Sequence, residues 1–133
     1  MRGVAILALL AGCPAQGTPQ CTVDTDCGGN GEVCARDGEC LPADEVQMVK
    51  VSWTIGGAAA DATTCAPFPS FYLEFDGSMF EDTFGYEPVP CVQGQFTIDK
   101  LPTRFVQVDI GVQGQWTDTT QIESGAASFD IAP

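Results

Sequence analysis

The chain has 133 residues, about the size of one typical domain with a small appendage, so a second large domain is excluded. Eighteen acidic against five basic residues leave a net charge of −13, which disfavours nucleic acid and anionic lipid headgroups as partners. The chain contains no histidine, the side chain that most often serves in acid–base catalysis and metal binding. Composition therefore argues against an enzyme, and no cofactor or bound metal is expected.

Residues 1–12 have the features of an export signal. Arg2 provides a positive start, an apolar run extends from Val4 to Leu10, and the small residues Ala11 and Gly12 follow. The apolar run is too short to span a bilayer, which needs about 20 apolar residues. We expect a signal peptide rather than a transmembrane helix.

The tetrapeptide Leu10-Ala11-Gly12-Cys13 resembles the lipobox of bacterial lipoproteins. The resemblance implies that the sulfur of Cys13 is diacylated and that the signal is removed, so that Cys13 becomes the first residue. Each buried methylene of an acyl chain contributes about 0.8 kcal/mol, and two or more chains anchor a protein stably. The implied location is the envelope of a Gram-negative bacterium, with the outer membrane expected. The alternative is a free cysteine at the end of an ordinary signal peptide.

After a tether over 13–20, rich in Pro and Gly, comes a segment with four cysteines over 21–40. Five, six and five residues separate these cysteines, and so short a Gly- and Asp-rich segment needs cross-links in place of a core. Sequence alone allows three pairings. The segment resembles small four-cysteine modules of the dickkopf amino-terminal type, and that resemblance implies Cys21 with Cys34 and Cys27 with Cys40.

Metal binding is the alternative for this segment. Zinc sites favour close Cys-x-x-Cys pairs, and the longer gaps here, in an oxidising compartment, argue against zinc. Asp24, Asp26, Asn30 and Glu32 could offer oxygen ligands, but their spacing does not fit the twelve-residue calcium loop. A solvated acidic turn is the preferred interpretation.

A linker over 41–45 leads to a domain over 46–133 with the texture of short strands. Val49, Val51, Trp53 and Ile55 alternate with polar residues, and so do Phe71, Leu73 and Phe75. The same period of two predicts inward faces in three later runs: Phe96 and Ile98; Val106, Val108, Ile110 and Val112; Phe129 and Ile131. Turn-forming clusters divide the runs, which predicts an all-β fold, an antiparallel β-sandwich of prealbumin- or immunoglobulin-like type.

Residues 94–112, GQFTIDKLPTRFVQVDIGV, resemble the carboxypeptidase regulatory-like and transthyretin-like sandwiches. In those families a glycine turn and a short strand lead through Leu-Pro into the next strand, as Gly94, Leu101 and Pro102 do here. Two residues after that proline the family usually has glycine, and this chain has Arg104. The resemblance implies a fold used for many purposes, so function has to be argued from particular residues.

Cys65 and Cys91 remain once Cys13 is assigned to the lipid and four cysteines to the module. A bridge between them closes a loop of about 26 residues and contributes roughly 3.5 kcal/mol in the chain-entropy model. We expect a structural disulfide, because few cations and no histidine are present to activate a thiolate.

Acids and aromatic rings are concentrated over 74–87, EFDGSMFEDTFGYE, which we expect to form a long loop. Loops that project from a rigid scaffold often bind ligands or partners. The possible binding residues are Glu74, Asp76, Phe80, Glu81, Asp82, Tyr86 and Glu87. The favoured hypothesis is a noncatalytic envelope lipoprotein that presents a binding or structural module to an envelope protein or polysaccharide. The alternative is a small carbohydrate-binding or carbohydrate-active domain that uses this loop, and the two differ in whether Glu81, Asp82 and Glu87 converge in a cleft.

Overall fold

A computed structural model describes residues 18–79 and 82–133. Ten strands form in these residues: β1 (Glu32–Cys34), β2 (Cys40–Pro42), β3 (Val46–Ile55), β4 (Ala58–Ala59), β5 (Ser70–Gly77), β6 (Thr83–Pro90), β7 (Gln95–Pro102), β8 (Phe105–Val112), β9 (Trp116–Gln121) and β10 (Ala126–Ile131). Single 3-10 turns occur at Asp24–Asp26, Ala43–Glu45 and Cys91–Gln93. Among the described residues, no helix is long and apolar enough to cross a bilayer. The predicted signal peptide and Cys13 lie outside the described residues.

Two four-stranded sheets form the domain, and the predicted all-β sandwich is confirmed. In the first sheet β3 is central, with β10 on one side and β7 and β4 on the other; the second sheet has the order β6-β5-β8-β9. The pairs within the second sheet are antiparallel. In the first sheet β3 and β10 are parallel, which the alternation of apolar residues cannot indicate because it is the same in both directions.

The core forms where the inward faces of the two sheets meet. Val49, Val51, Trp53 and Ile55 of β3 are buried, as are Phe71, Leu73 and Phe75 of β5, so the predicted inward faces of these strands are correct. The Trp53 ring contacts Phe71 edge-on at 5.9 Å between centroids. Its indole Nε1 donates to the Cys91 carbonyl at 2.8 Å, which satisfies its only polar atom in the core.

Cys91 is also bonded to Cys65, with their Cα atoms 5.7 Å apart and both residues buried. The bridge ties the irregular segment after β4 to the 3-10 turn that follows β6. It lies in the same buried cluster as Trp53, so it is part of the core rather than a surface staple.

The predicted inward face of β8 is wrong at one position. Val106 is 40% exposed, whereas Phe105 beside it is fully buried. On β5 the partners of Gln107 and Phe105 are the consecutive residues Asp76 and Gly77, so Val106 is the extra residue of a β-bulge. The bulge shifts the alternation by one residue and turns Phe105 towards the core.

The four-cysteine segment forms a small module around a hairpin of β1 and β2. Its bridges join Cys21 to Cys34 and Cys27 to Cys40, the pairing that the dickkopf-type resemblance implies. Instead of an open spacer, the predicted linker over 41–45 contains the end of β2 and a 3-10 turn. The module therefore leads directly into β3.

Candidate functional site

The predicted long loop over 74–87 is in fact most of a β-hairpin, and this part of the prediction is wrong. Glu74 and Asp76 lie on β5, and Tyr86 and Glu87 lie on β6. Gly85, Pro88 and Pro90 are accommodated in β6 because it is an edge strand with a register shift after Tyr86. Phe80 and Glu81, at the turn, lie outside the described residues.

Three carboxylates gather on the outer face of the second sheet. Glu74 of β5 lies directly opposite Asp109 of β8, and Asp76 is two residues further along β5. One carboxylate oxygen from each of the three residues lies within 4.8 Å of the other two. We call these residues, Glu74, Asp76 and Asp109, the acidic face. Asp109 was not among the predicted site residues: its polar position in β8 was visible in the sequence, but its pairing with Glu74 was not.

Polar and aromatic side chains surround the acidic face. The Thr119 hydroxyl of β9 donates to Asp109 at 2.6 Å, and Gln121 donates to Gln107 at 2.9 Å. Tyr72 contacts Thr117 through its hydroxyl and covers Gly111, where an added Cβ would lie 2.8 Å from the tyrosine ring. Gly111 thus allows the tyrosine to lie flat against the sheet.

The charges of the acidic face repel one another. Partial burial, followed by the charges of Asp76 and Asp109, raises the pKa of Glu74 above its ordinary value. Burial and the charge of Asp109 also raise the pKa of Asp76, although a hydrogen bond with Gln107 opposes the shift. Among the described residues, no Lys or Arg forms an ion pair with any of the three carboxylates.

The other predicted site residues lie apart from this face. Asp82 accepts a hydrogen bond from Arg104 Nε at 2.7 Å. The Tyr86 ring packs at the margin of the core, 4.8 Å from the Phe96 ring, and burial raises the pKa of its phenol. Glu87 is exposed on β6. The described acids of the predicted loop therefore divide between the acidic face, an arginine contact and open surface.

Two groups of side chains have the composition of metal ligands. Cys21, Cys27 and Cys40 lie close together, but their sulfurs are in disulfides and cannot act as thiolate ligands. The acidic face offers three carboxylates, whereas calcium takes six to eight oxygen ligands. Its chemistry is that of a surface that attracts positive charge.

No protein-family profile matches this chain, and no characterised protein or solved structure is detectably similar to it. The resemblances in short segments of the sequence are therefore not supported by any match over the whole chain. Since a sandwich fold serves many functions, the function of this chain has to be inferred from the residues described above.

Proposed function

We propose that this protein is a noncatalytic lipoprotein of the bacterial envelope, held by a lipid on Cys13, that presents its sandwich as a binding or structural module. The observation that carries the proposal is the way the chain enters the module. The amides of Gln20 and Cys21 both donate to the Gly38 carbonyl, at 2.8 and 3.2 Å. The chain is thus fixed to a cross-linked base only seven residue steps after Cys13.

Seven residues reach at most about 24 Å, so an anchor at Cys13 would keep the module within that distance of its attachment point. The module is followed without a spacer by β3, the central strand of the first sheet. This arrangement supports a presenting role, because the sandwich follows directly from a cross-linked base that the anchor would keep near the membrane.

The placement of the acids supports a noncatalytic role. A glycosidase that used the predicted loop would need its acids to face one another across a cleft. Asp82 is instead bound by Arg104, and Glu87 is exposed. The net charge of −13 and the unpaired acidic face favour an envelope protein or polysaccharide that carries basic groups, and disfavour nucleic acid.

The anchor is tested by expressing the wild type and Cys13→Ser in a Gram-negative host. We expect the wild type in the membrane fraction with acyl chains on its amino-terminal cysteine by mass spectrometry. Cys13→Ser should be released into the periplasm, because it lacks the sulfur that carries the lipid. A wild type without acyl chains, or found free of membranes, would contradict the proposal.

A carbohydrate-binding or carbohydrate-cleaving domain is the second candidate, favoured by one observation. The acidic face brings three carboxylates within 4.8 Å next to Tyr72, and retaining glycosidases place two carboxyl groups about 5 to 5.5 Å apart. The test compares the wild type with Glu74→Gln on a panel of envelope polysaccharides, with Asp118→Asn on β9 as the matched control. Binding or hydrolysis lost only in Glu74→Gln would favour this candidate over the first.

A further inference from the structure

The module and the sandwich have separate cores. The buried cluster of the module consists of Cys21, Cys27 and Cys34, and the buried cluster of the sandwich contains none of these three residues. Charged side chains of the two units pair with each other between these cores. Three of the four Lys and Arg residues in the described ranges pair there with carboxylates. We call this contact the ionic junction: Asp24, Arg36, Asp37, Glu39, Asp82, Asp99, Lys100 and Arg104.

An irregularity in β7 supplies one half of the junction. Gln47 and Val49 of β3 pair with Leu101 and Ile98, so β7 has an extra residue in this interval. Lys100 takes a positive φ of 51°, which is uncommon for a residue other than glycine. A β-bulge with this conformation changes the direction of side chains along a strand.

The irregular interval of β7 contacts the module at three points. Asp99 accepts a hydrogen bond from Arg36 Nε at 2.7 Å, and Lys100 Nζ donates to Asp24 at 2.7 Å. The amide of Arg36 donates to the Lys100 carbonyl at 3.1 Å. Asp24 also accepts from the Cys34 amide at 2.9 Å, so its carboxylate connects the Lys100 ammonium to the module's own backbone.

Arg104 supplies the other half of the ionic junction. Its guanidinium pairs with Glu39 at 2.7 Å and with Asp37 on the module, and with Asp82 at 2.7 Å on the sandwich. The guanidinium lies 5.0 Å from the centre of the Phe105 ring, which limits its movement. One side chain with five N–H donors thus connects carboxylates of both units.

The strength of such a junction depends on the surrounding salt. Its side chains are mostly between one-eighth and one-half exposed, and pairs at this exposure contribute little individually and are screened by ions. Five carboxylates face three cations, so removing one cation leaves carboxylates facing each other. The module has two disulfides and the sandwich has its own buried core, so neither set of stabilising contacts includes the ion pairs between the units.

We propose that the ionic junction is a salt-releasable latch. At low ionic strength it holds the four-cysteine module against the sandwich, and at high ionic strength the two units separate while both stay folded. The latch is independent of the lipid anchor, since it involves only residues 24–104. Its release changes the direction in which the sandwich is held relative to the module.

Hydrogen exchange of single amides, followed by NMR on the full-length Cys13→Ser chain, tests the latch. The probe is the Arg36 amide, which donates across the junction. Two control amides donate within one unit each: Gly38 to Ala35 in the module and Cys91 to Pro69 in the sandwich, both at 2.9 Å. Between 0.01 and 1 M NaCl the Debye length falls from about 30 to 3 Å. We expect Arg36 to exchange at least about tenfold faster at 1 M, with both controls within about twofold.

Two variants separate the latch from general charge effects. Arg104→Gln should bring the Arg36 exchange rate at 0.01 M NaCl close to the wild-type rate at 1 M. Lys50→Gln removes the same charge from β3, outside any ion pair among the described residues, and should leave the rate unchanged. If Arg104→Gln does not fold, Lys100→Gln takes its place.

Two results would overturn the proposal. In the first, Arg36 stays protected at 1 M NaCl and in the variant, so ions do not hold the contact. In the second, the Gly38 and Cys91 amides accelerate together with Arg36, so the units unfold as one and cannot separate while folded.

Discussion

The ionic junction and the acidic face are both rich in carboxylates, but their electrostatic surroundings are opposite. At the junction the hydrogen bond from Lys100, together with the Cys34 amide, lowers the pKa of Asp24. On the acidic face, burial and neighbouring carboxylates raise the pKa of Glu74 and Asp76. The chain has few cations, and most of those described are used to join its two units. Within the part of the chain that the structure describes, the sheet face is consequently left with negative charge that no ion pair balances.

The largest expected effect comes from a steric clash at Gly111, beside the acidic face, with no change in charge. In Gly111→Ala the new Cβ would lie 2.4 Å from the Trp116 carbonyl oxygen and 2.8 Å from Tyr72. Because a backbone atom has to move, we expect a loss of about 2 kcal/mol in the free energy of unfolding, measured in denaturant. The matched control is Gly28→Ala in the module, whose nearest contact is 3.8 Å away. Equal losses of unfolding free energy in the two variants would show that the sheet is packed no more closely around Gly111 than the module is around Gly28.

The titration of the two regions provides the next test. In a ¹³C NMR titration we expect the pKa of Asp24 below, and the pKa values of Glu74 and Asp76 above, their ordinary values. The stabilising contribution of Asp24 is complete above its ordinary pKa and is lost as pH falls through the lowered one. Glu74 and Asp76 instead cost stability as pH rises from their ordinary pKa through the raised one. Asp24 and Asp76 titrating together would remove the contrast, and a carboxyl above about 6 on the face would favour the carbohydrate-active candidate.

The smallest expected effect comes from relieving the repulsion. Asp109→Asn removes the charge directly opposite Glu74, and like charges in that position cost roughly 0.2 to 1 kcal/mol. We expect a gain of about 0.5 kcal/mol in unfolding free energy at pH 7, and a lower pKa for Glu74. Asp118→Asn, on the adjacent β9, changes the net charge equally and should have less effect. A loss of stability in Asp109→Asn alone would mean that the Thr119 hydroxyl gains more from a charged than from a neutral acceptor, by more than the repulsion costs.

Strands with a buried and a polar face could be predicted, and strands without that pattern could not. The alternation of apolar and polar residues was sufficient to predict the inward faces of β3 and β5, because each strand packs one face on the core. The edge strand β9, WTDTTQ, has one large apolar residue and no such signal. Val106 was assigned to the wrong face because a bulge depends on the partner strand, which β8 alone does not reveal.

The candidate site could be predicted only in part, again because the sequence of one strand does not reveal its partner strand. Glu74 and Asp76 were identified because acids and aromatic rings are dense in the segment 74–87. Asp109 lies 33 positions beyond Asp76 and joins them only through strand pairing. Arg104 was noted as a departure from a family pattern, with no indication that it would bind carboxylates of the module. Such contacts depend on where two units with separate buried cores meet.

The sequence by itself determined the class of fold, the inward faces of β3 and β5 and the unbalanced negative charge, because side-chain alternation and composition are local properties. Only the tertiary structure decided which carboxylates repel one another and which are neutralised. That outcome depends on strand order, on the bulges in β7 and β8, and on the position of the module beside Lys100 and Arg104. Electrostatic interactions act over a few ångströms in space, and residues far apart in the chain come that close only after folding.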